Sequence, residues 1–201
     1  MPELFYTTGS PYARICRMAL RERDLTSLVS ERLTTLRDPA AKVLPYNPTG
    51  RVPALALDEG LTLSETTLIL KWLDEQGDTP KMVPQDASGL AAYGRALGLL
   101  DGIAVWNREL RRPVSERSPS VLALEALRAD RVADALVQDV ENGYYAAVDA
   151  ASLALLAVLG YAQKRHTVWE WQKGRGALEQ WFEKISQRPS AIETMPEPSG
   201  I

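Results

Sequence analysis

The chain has 201 residues, 45% of them apolar and 24% charged, the proportions of a globular protein of one domain or two modest ones. A net charge of −3 lacks the basic footprint of a nucleic-acid surface, and no apolar run approaches the ~20 residues that span a membrane. A single cysteine, Cys16, excludes a disulfide within the chain, and a single histidine, His166, leaves little from which to build a zinc centre or a Ser-His-Asp triad. No metal is expected. The opening residues Met-Pro-Glu-Leu-Phe lack a basic stretch leading into an apolar one, so no signal peptide and a cytoplasmic location are expected.

In chain order, residues 4–7 form an apolar strand candidate, and 11–23 follow as an amphipathic helix with Tyr12, Ile15, Cys16, Ala19 and Leu20 on one stripe. Residues 28–32 suggest a second strand, and 38–44 a short helix stopped by Pro45 and Pro48. Runs at 52–57 and 61–63, split by Asp58-Glu59-Gly60, predict a hairpin. Residues 65–76 are helical in period and end at Gly77. The segment 77–84 reads as a linker. Beyond it the pattern is helical: 86–112, 120–144, a strongly apolar 149–165, and 176–188, before an irregular Pro-rich tail after Ala191. His166 is expected at the surface, and Cys16 as a small buried hydrophobe.

The right-handed crossover rule makes the first two strands parallel, and the hairpin makes the last two antiparallel. This predicts a thioredoxin-like N-terminal domain with a four-stranded mixed sheet over residues 1–76, and an all-α C-terminal domain over 85–201.

The motif richest in chemistry is Ser10-Pro11-Tyr12-Ala13 at the first helix's start. Its spacing is that of a Cys-Pro-Tyr-Cys redox motif with a hydroxyl and a methyl in place of the sulfurs. Such a site suits a thiol brought by a ligand. Locally, Ser10 is equally an N-cap before Pro11.

Four blocks carry a family resemblance: Ser10-Pro11-Tyr12-Ala13-Arg14; Asn47-Pro48-Thr49-Gly50-Arg51-Val52-Pro53-Ala54-Leu55; Leu63-Ser64-Glu65-Thr66-Thr67-Leu68-Ile69; and Trp181-Phe182-Glu183 through Arg188-Pro189-Ser190. In this order the chain resembles the soluble glutathione S-transferases, bacterial serine-type members above all. The resemblance implies glutathione as co-substrate. It implies a cis Val52-Pro53 bond turning the Val52 backbone toward the ligand's cysteinyl peptide. It also implies Thr66 donating to the γ-glutamyl carboxylate, with Glu65 facing its ammonium. Glu65 and Thr66 also admit plain helix chemistry, with Ser64 as N-cap. Arg51, and less so Lys42, are candidates for the glycyl carboxylate or remain solvated.

Ser10 is the candidate catalytic residue, with Thr8 as second choice. Thr8, Tyr12 and Trp106 are candidates for the wall of a pocket holding a small apolar electrophile, although Trp106 also suits a core. The resemblance further implies a homodimer through the helix at 65–76 and the long helix, with Asp101 reaching the partner's glutathione. In Asp149-Ala150-Ala151-Ser152 the usual polar pair is exchanged, so Ser152 is not expected to reach back to the helix start, at a small folding cost.

The sequence therefore points to a glutathione transferase acting in detoxification. A non-catalytic glutathione-binding or regulatory protein on the same fold is the alternative. A thiol-disulfide reductase needs a sulfur at position 10, where serine stands.

Overall fold

The computed structural model describes residues 1–198; the last three residues of the expected irregular tail lie outside them. Four short strands, β1 (Glu3–Tyr6), β2 (Ser30–Leu33), β3 (Ala54–Ala56) and β4 (Thr62–Ser64), form one sheet in the order β2-β1-β3-β4. β1 runs parallel to β2 and antiparallel to β3, which pairs antiparallel with β4. With α1 (Pro11–Glu22) and α2 (Thr66–Leu73) this is a thioredoxin-like domain, as the strand order predicts. The rest is helical: α3 (Ala87–Leu110), α4 (Pro119–Glu141), α5 (Ala150–Arg165), α6 (Gly176–Ser186) and α7 (Pro189–Glu193), with a 3-10 turn at Val114–Glu116.

Two expectations fail locally. Residues 38–44 form turns rather than a helix. Ala41 and Val43 still do a helix's work, packing with Phe5, Ala54 and Ala56 on one face of the sheet. Strand alternation puts Leu4 and Leu55 on the other face, with α1. The tail past Ala191 is not irregular at once, because α7 extends to Glu193.

α1 is deeply enclosed: every residue from Ala13 to Leu20 is buried. Ser10 caps its start, accepting from the Ala13 N–H at 3.2 Å. Its end is a Schellman turn. The Leu25 N–H reaches the Leu20 carbonyl at 2.8 Å and the Asp24 N–H reaches that of Arg21 at 3.1 Å, with Asp24 at φ 54°.

Three charged side chains tie α1 to distant segments. Arg14 is buried and donates to the Ala191 carbonyl at 3.1 Å; burial lowers its pKa to about 10, so it stays charged at neutral pH. Glu22 takes a two-pronged contact from Arg188 at 2.8 and 2.6 Å and a hydroxyl from Ser190. The Arg-Pro-Ser block near the C-terminus is thus a clamp on α1. Arg23 lies 3.4 Å from buried Asp74, which accepts the Met82 and Val83 N–H groups at 2.7 and 2.8 Å.

α5 is buried on all sides from Ala150 to Ala162. Its start corrects an expectation: Ser152 does reach back. Its Oγ accepts the Asp149 N–H at 2.9 Å while Asp149 accepts the Ser152 N–H at 2.9 Å, a full capping box. A short side chain suffices because the serine hydroxyl sits within reach of the cap N–H without an extended arm.

α1 and α5 pack closely where Gly160 meets Arg14: a Cβ at Gly160 falls 2.5 Å from Arg14 Nη1. That guanidinium is pinned, so Gly160→Ala is expected to cost about 1–3 kcal/mol. Asp74→Ala, which strips a buried cation and two N–H groups of their acceptor, is expected to cost about 3–5 kcal/mol. Urea denaturation midpoints at constant m-value measure both, and midpoints within experimental error of the parent chain contradict them.

Candidate functional site

A cleft of about 640 Å³ opens where the loop between β1 and α1, the turn before β3, the start of α2 and one face of α3 converge. Ser10, Tyr12 and Thr8 line it, as do Arg51, Val52, Pro53, Glu65 and Thr66. The sequence candidates thus come from four separate segments and meet in one cavity. Trp106 and Lys42 are not among its lining residues.

The loop leading to Ser10 is held by its N–H donating to the Thr7 carbonyl at 3.2 Å. Gly9 is required there by close approach: a Cβ would sit 2.7 Å from the Arg165 guanidinium carbon. Ser10 Oγ uses a lone pair for capping, which leaves its proton free to donate into the cleft.

The Val52-Pro53 bond is cis, and Val52 precedes β3. Among the described residues its N–H and C=O have no hydrogen-bond partner. Asn47 braces this turn, donating to the Arg51 carbonyl at 3.0 Å and accepting the Thr49 hydroxyl at 2.9 Å.

The start of α2 departs from plain capping. β4 extends through Ser64, so Ser64 is not the N-cap; Glu65 is, at φ 72°, with no side-chain bond to the helix. A left-handed φ on a non-glycine residue costs about 1–3 kcal/mol. The first turn of α2 is left open toward the cleft, and the Thr66 hydroxyl has only a long 3.5 Å contact with the Tyr12 carbonyl.

The far wall is α3. Asp101, Ala104, Val105, Arg108 and Arg111 recur at three- and four-residue spacing and share the face that lines the cleft. Trp106 is one position, about 100°, off that face. It is buried against His166, ring centroids 4.6 Å apart in a T-shaped contact. Trp106 is therefore a core residue here. The Tyr12 phenol donates to Asp101 at 2.5 Å, and burial and this carboxylate push its pKa up. Asp101 is thus engaged by its own chain's Tyr12.

His166 is fully buried, not at the surface, because it caps the end of the buried α5. Asn107 Nδ2 donates to the Arg165 carbonyl at 2.9 Å and faces His166 Nδ1 at 3.3 Å. The Nδ1 is then an acceptor, and the proton of the neutral ring sits on Nε2, which has no partner. Sequence reasoning missed Arg108, Arg111, Arg165 and Tyr161, which also line the cleft. The i, i+3 spacing of Arg108 and Arg111 was the available signal.

A family model described as the N-terminal domain of glutathione S-transferase matches residues 4–81. A glutathione S-transferase from Methylobacillus flagellatus KT, solved with glutathione bound, is 27% identical over 99% of this chain and 100% of its own, with TM-score 0.87. Residues 4–81 are thus an N-terminal glutathione S-transferase domain, and the whole chain is similar to soluble glutathione S-transferases. A family member from Pseudomonas fluorescens Pf-5, solved with S-(propanoic acid)-glutathione, is 29% identical over 98% of this chain and 100% of its own, with TM-score 0.87. The uncharacterized GST-like protein YibF of Escherichia coli K12 is 26% identical over 193 residues, 93% of this chain and 95% of YibF. No helix among the described residues is long and apolar enough to cross a membrane, and no cluster of three or more metal-binding side chains occurs among them.

Burial holds the His166 pKa down to about 4, below its ordinary 6.5. Between these values the unfolded chain takes up a proton that the folded chain refuses. Stability therefore falls as pH drops from about 6.5 to about 4, by up to about 1.4 kcal/mol per pH unit. Urea midpoints across this window are expected to fall less steeply for His166→Gln than for the parent chain. Parallel pH profiles of the two contradict this.

Proposed function

We propose that the chain is a glutathione transferase that activates the thiol of glutathione bound in this cleft. In this reading the γ-glutamyl carboxylate meets the open first turn of α2 and Thr66, with Glu65 toward the ammonium. The cysteinyl peptide pairs with the Val52 backbone before Pro53, and Arg51 takes the glycyl carboxylate. The observation that carries the reading is the unused hydrogen-bonding capacity around one cavity: the Val52 backbone, the uncapped α2 start and the Ser10 proton.

Ser10 then donates to the glutathione sulfur. A free thiol of pKa ~8.5 is mostly protonated at neutral pH, and lowering it by ~2 units takes ~2.7 kcal/mol. One hydrogen bond to the thiolate, worth ~1.5–3 kcal/mol, together with the α1 N-terminus supplies that amount. Ser10 stays protonated throughout. The thiolate attacks an electrophilic carbon between the Thr8–Tyr12 loop and α3, and the leaving group departs with its electron pair.

The relatives solved with glutathione and with S-(propanoic acid)-glutathione support the choice of ligand. Exposed Leu68 on α2 and Leu90 on α3 support a homodimer through these helices, and a cytoplasmic role in detoxification accompanies the reading. Sedimentation at micromolar concentration is expected to give a dimer; a monomer removes that part.

Ser10→Ala is expected to lower kcat for glutathione conjugation to 1-chloro-2,4-dinitrobenzene about 10- to 100-fold, with a smaller change in the KM for glutathione. Thr66→Val is expected to weaken glutathione binding about tenfold, measured by titration calorimetry. An unchanged kcat in the serine variant refutes its role. Binding without turnover on a broad panel of electrophiles favours the non-catalytic alternative.

A further inference from the structure

One wall of the cleft is cationic. Arg108 from α3, Arg111 at the C-cap of α3 and Arg165 from the end of α5 all line it. The chain as a whole carries a net charge of −3, so this concentration runs against its overall balance. Glu65 and Asp101 are the carboxylates lining the cavity, and Asp101 is occupied by the Tyr12 phenol.

Several nearby arginines, by contrast, have acidic partners. Arg95 pairs with Asp139, Arg128 with Glu125 at 2.7 Å, and Arg112 with Glu116 at 3.6 Å. Arg108 bonds only the Ala104 carbonyl of its own helix, through Nε at 3.1 Å, which leaves its terminal nitrogens free. Among the described residues neither Arg108 nor Arg111 has an acidic partner. Arg165 spends one terminal nitrogen on the Glu197 carbonyl at 2.9 Å, while its buried Nε has no partner. All three act on one point: each opposes the upward push that burial gives the Tyr161 hydroxyl.

Three like charges around one cavity repel one another, and an anion between them relieves that repulsion. We propose that this wall is an anion subsite and that the electrophile accepted here carries a carboxylate. This rests on the reading of the same cleft as a glutathione site. A guanidinium fork matches a carboxylate with two parallel hydrogen bonds. Ala104, Val105 and Leu36 supply apolar surface for the carbon skeleton. A purely apolar acceptor leaves the three charges unanswered.

With 4-chloro-3,5-dinitrobenzoate as such an acceptor, the glutathione sulfur bonds to the ring carbon bearing chlorine. The carbon–chlorine bond breaks, chloride leaves with the electron pair, and the thiol proton passes to solvent.

Titration calorimetry with two matched ligands, S-(2-carboxyethyl)glutathione and S-propylglutathione, tests the subsite. The full chain is expected to bind the carboxylate about tenfold more tightly. In Arg108→Gln/Arg111→Gln that preference is expected to fall to near parity. The ratio of kcat/KM for 4-chloro-3,5-dinitrobenzoate to that for its methyl ester is expected to drop about tenfold in the same variant. Equal binding of the two ligands by the parent chain, or a preference that survives both substitutions, overturns the anion subsite and leaves the glutathione reading standing. If neither ligand binds, the glutathione reading fails and the subsite falls with it.

Discussion

The burial of α1 is the constraint on which the rest of the structure depends. This helix lies against the sheet on one side and against α5 on the other, with no face left for water from Ala13 to Leu20. A helix so enclosed cannot tilt or slide without opening a cavity, and lost core volume costs several kcal/mol. Its N-terminus is therefore held in one place, and with it Ser10 and the backbone turn that precedes it. The charged side chains reinforce this from both ends: Arg14 holds α7, Glu22 holds Arg188, and Arg23 lies against Asp74, which fixes the segment entering the helical part.

The proposed sulfur site has the character expected of a pre-set electrostatic device. Its donors are a capped helix start and a fixed hydroxyl, neither of which must reorganise when negative charge appears. The opposite pattern holds at α2. There the cap is missing, Glu65 is strained, and the first turn faces the cavity. A helix that folded only for stability would place a serine or aspartate at that position and close the turn with a side chain. The strain at Glu65 is small beside what a bound carboxylate can return at a helix N-terminus.

Much of this was legible in the sequence because the relevant signals are local. Ser10 before Pro11, Val52 before Pro53, and Asp58-Glu59-Gly60 between two apolar runs each set a backbone conformation within a few residues. Element order then followed from loop lengths and handedness. What was not legible depends on helix phase and on tertiary cover. Trp106 and Arg108 are two residues apart on α3, yet one faces the core and the other the cavity. α3 has the core on one side and the cleft on the other, so apolar residues such as Val105 occur on both faces and the stripe alone does not say which is which. His166 reads as a surface residue after a helix end, but that end belongs to the most buried helix and is covered by α3. The segment at 38–44 has the composition of a helix and instead forms turns. Ala41 and Val43 need only reach the sheet, and Asp38 accepts the Ala40 N–H at 2.8 Å and draws the backbone into a turn.

The far end of the chain is joined to the cleft by one continuous set of contacts. The Glu197 carbonyl accepts from Arg165, the Arg165 guanidinium lies under Gly9, and Gly9 precedes Ser10. Arg14, one turn into α1, takes the Ala191 carbonyl of α7. The tail and the loop thus share a cation each way, and both arginines are closely confined: one lies against Gly9 and the other against Gly160, where a Cβ would fall 2.7 and 2.5 Å from the guanidinium. This gives the C-terminal Arg188-Pro189-Ser190 block a physical reason for being where it is. By seating α7 on Glu22, it fixes the segment that closes over α1 and Arg165. The end of the chain is part of the support of the cleft, and its contribution to the proposed chemistry is positional: it holds the backbone on which the Ser10 hydroxyl is aimed.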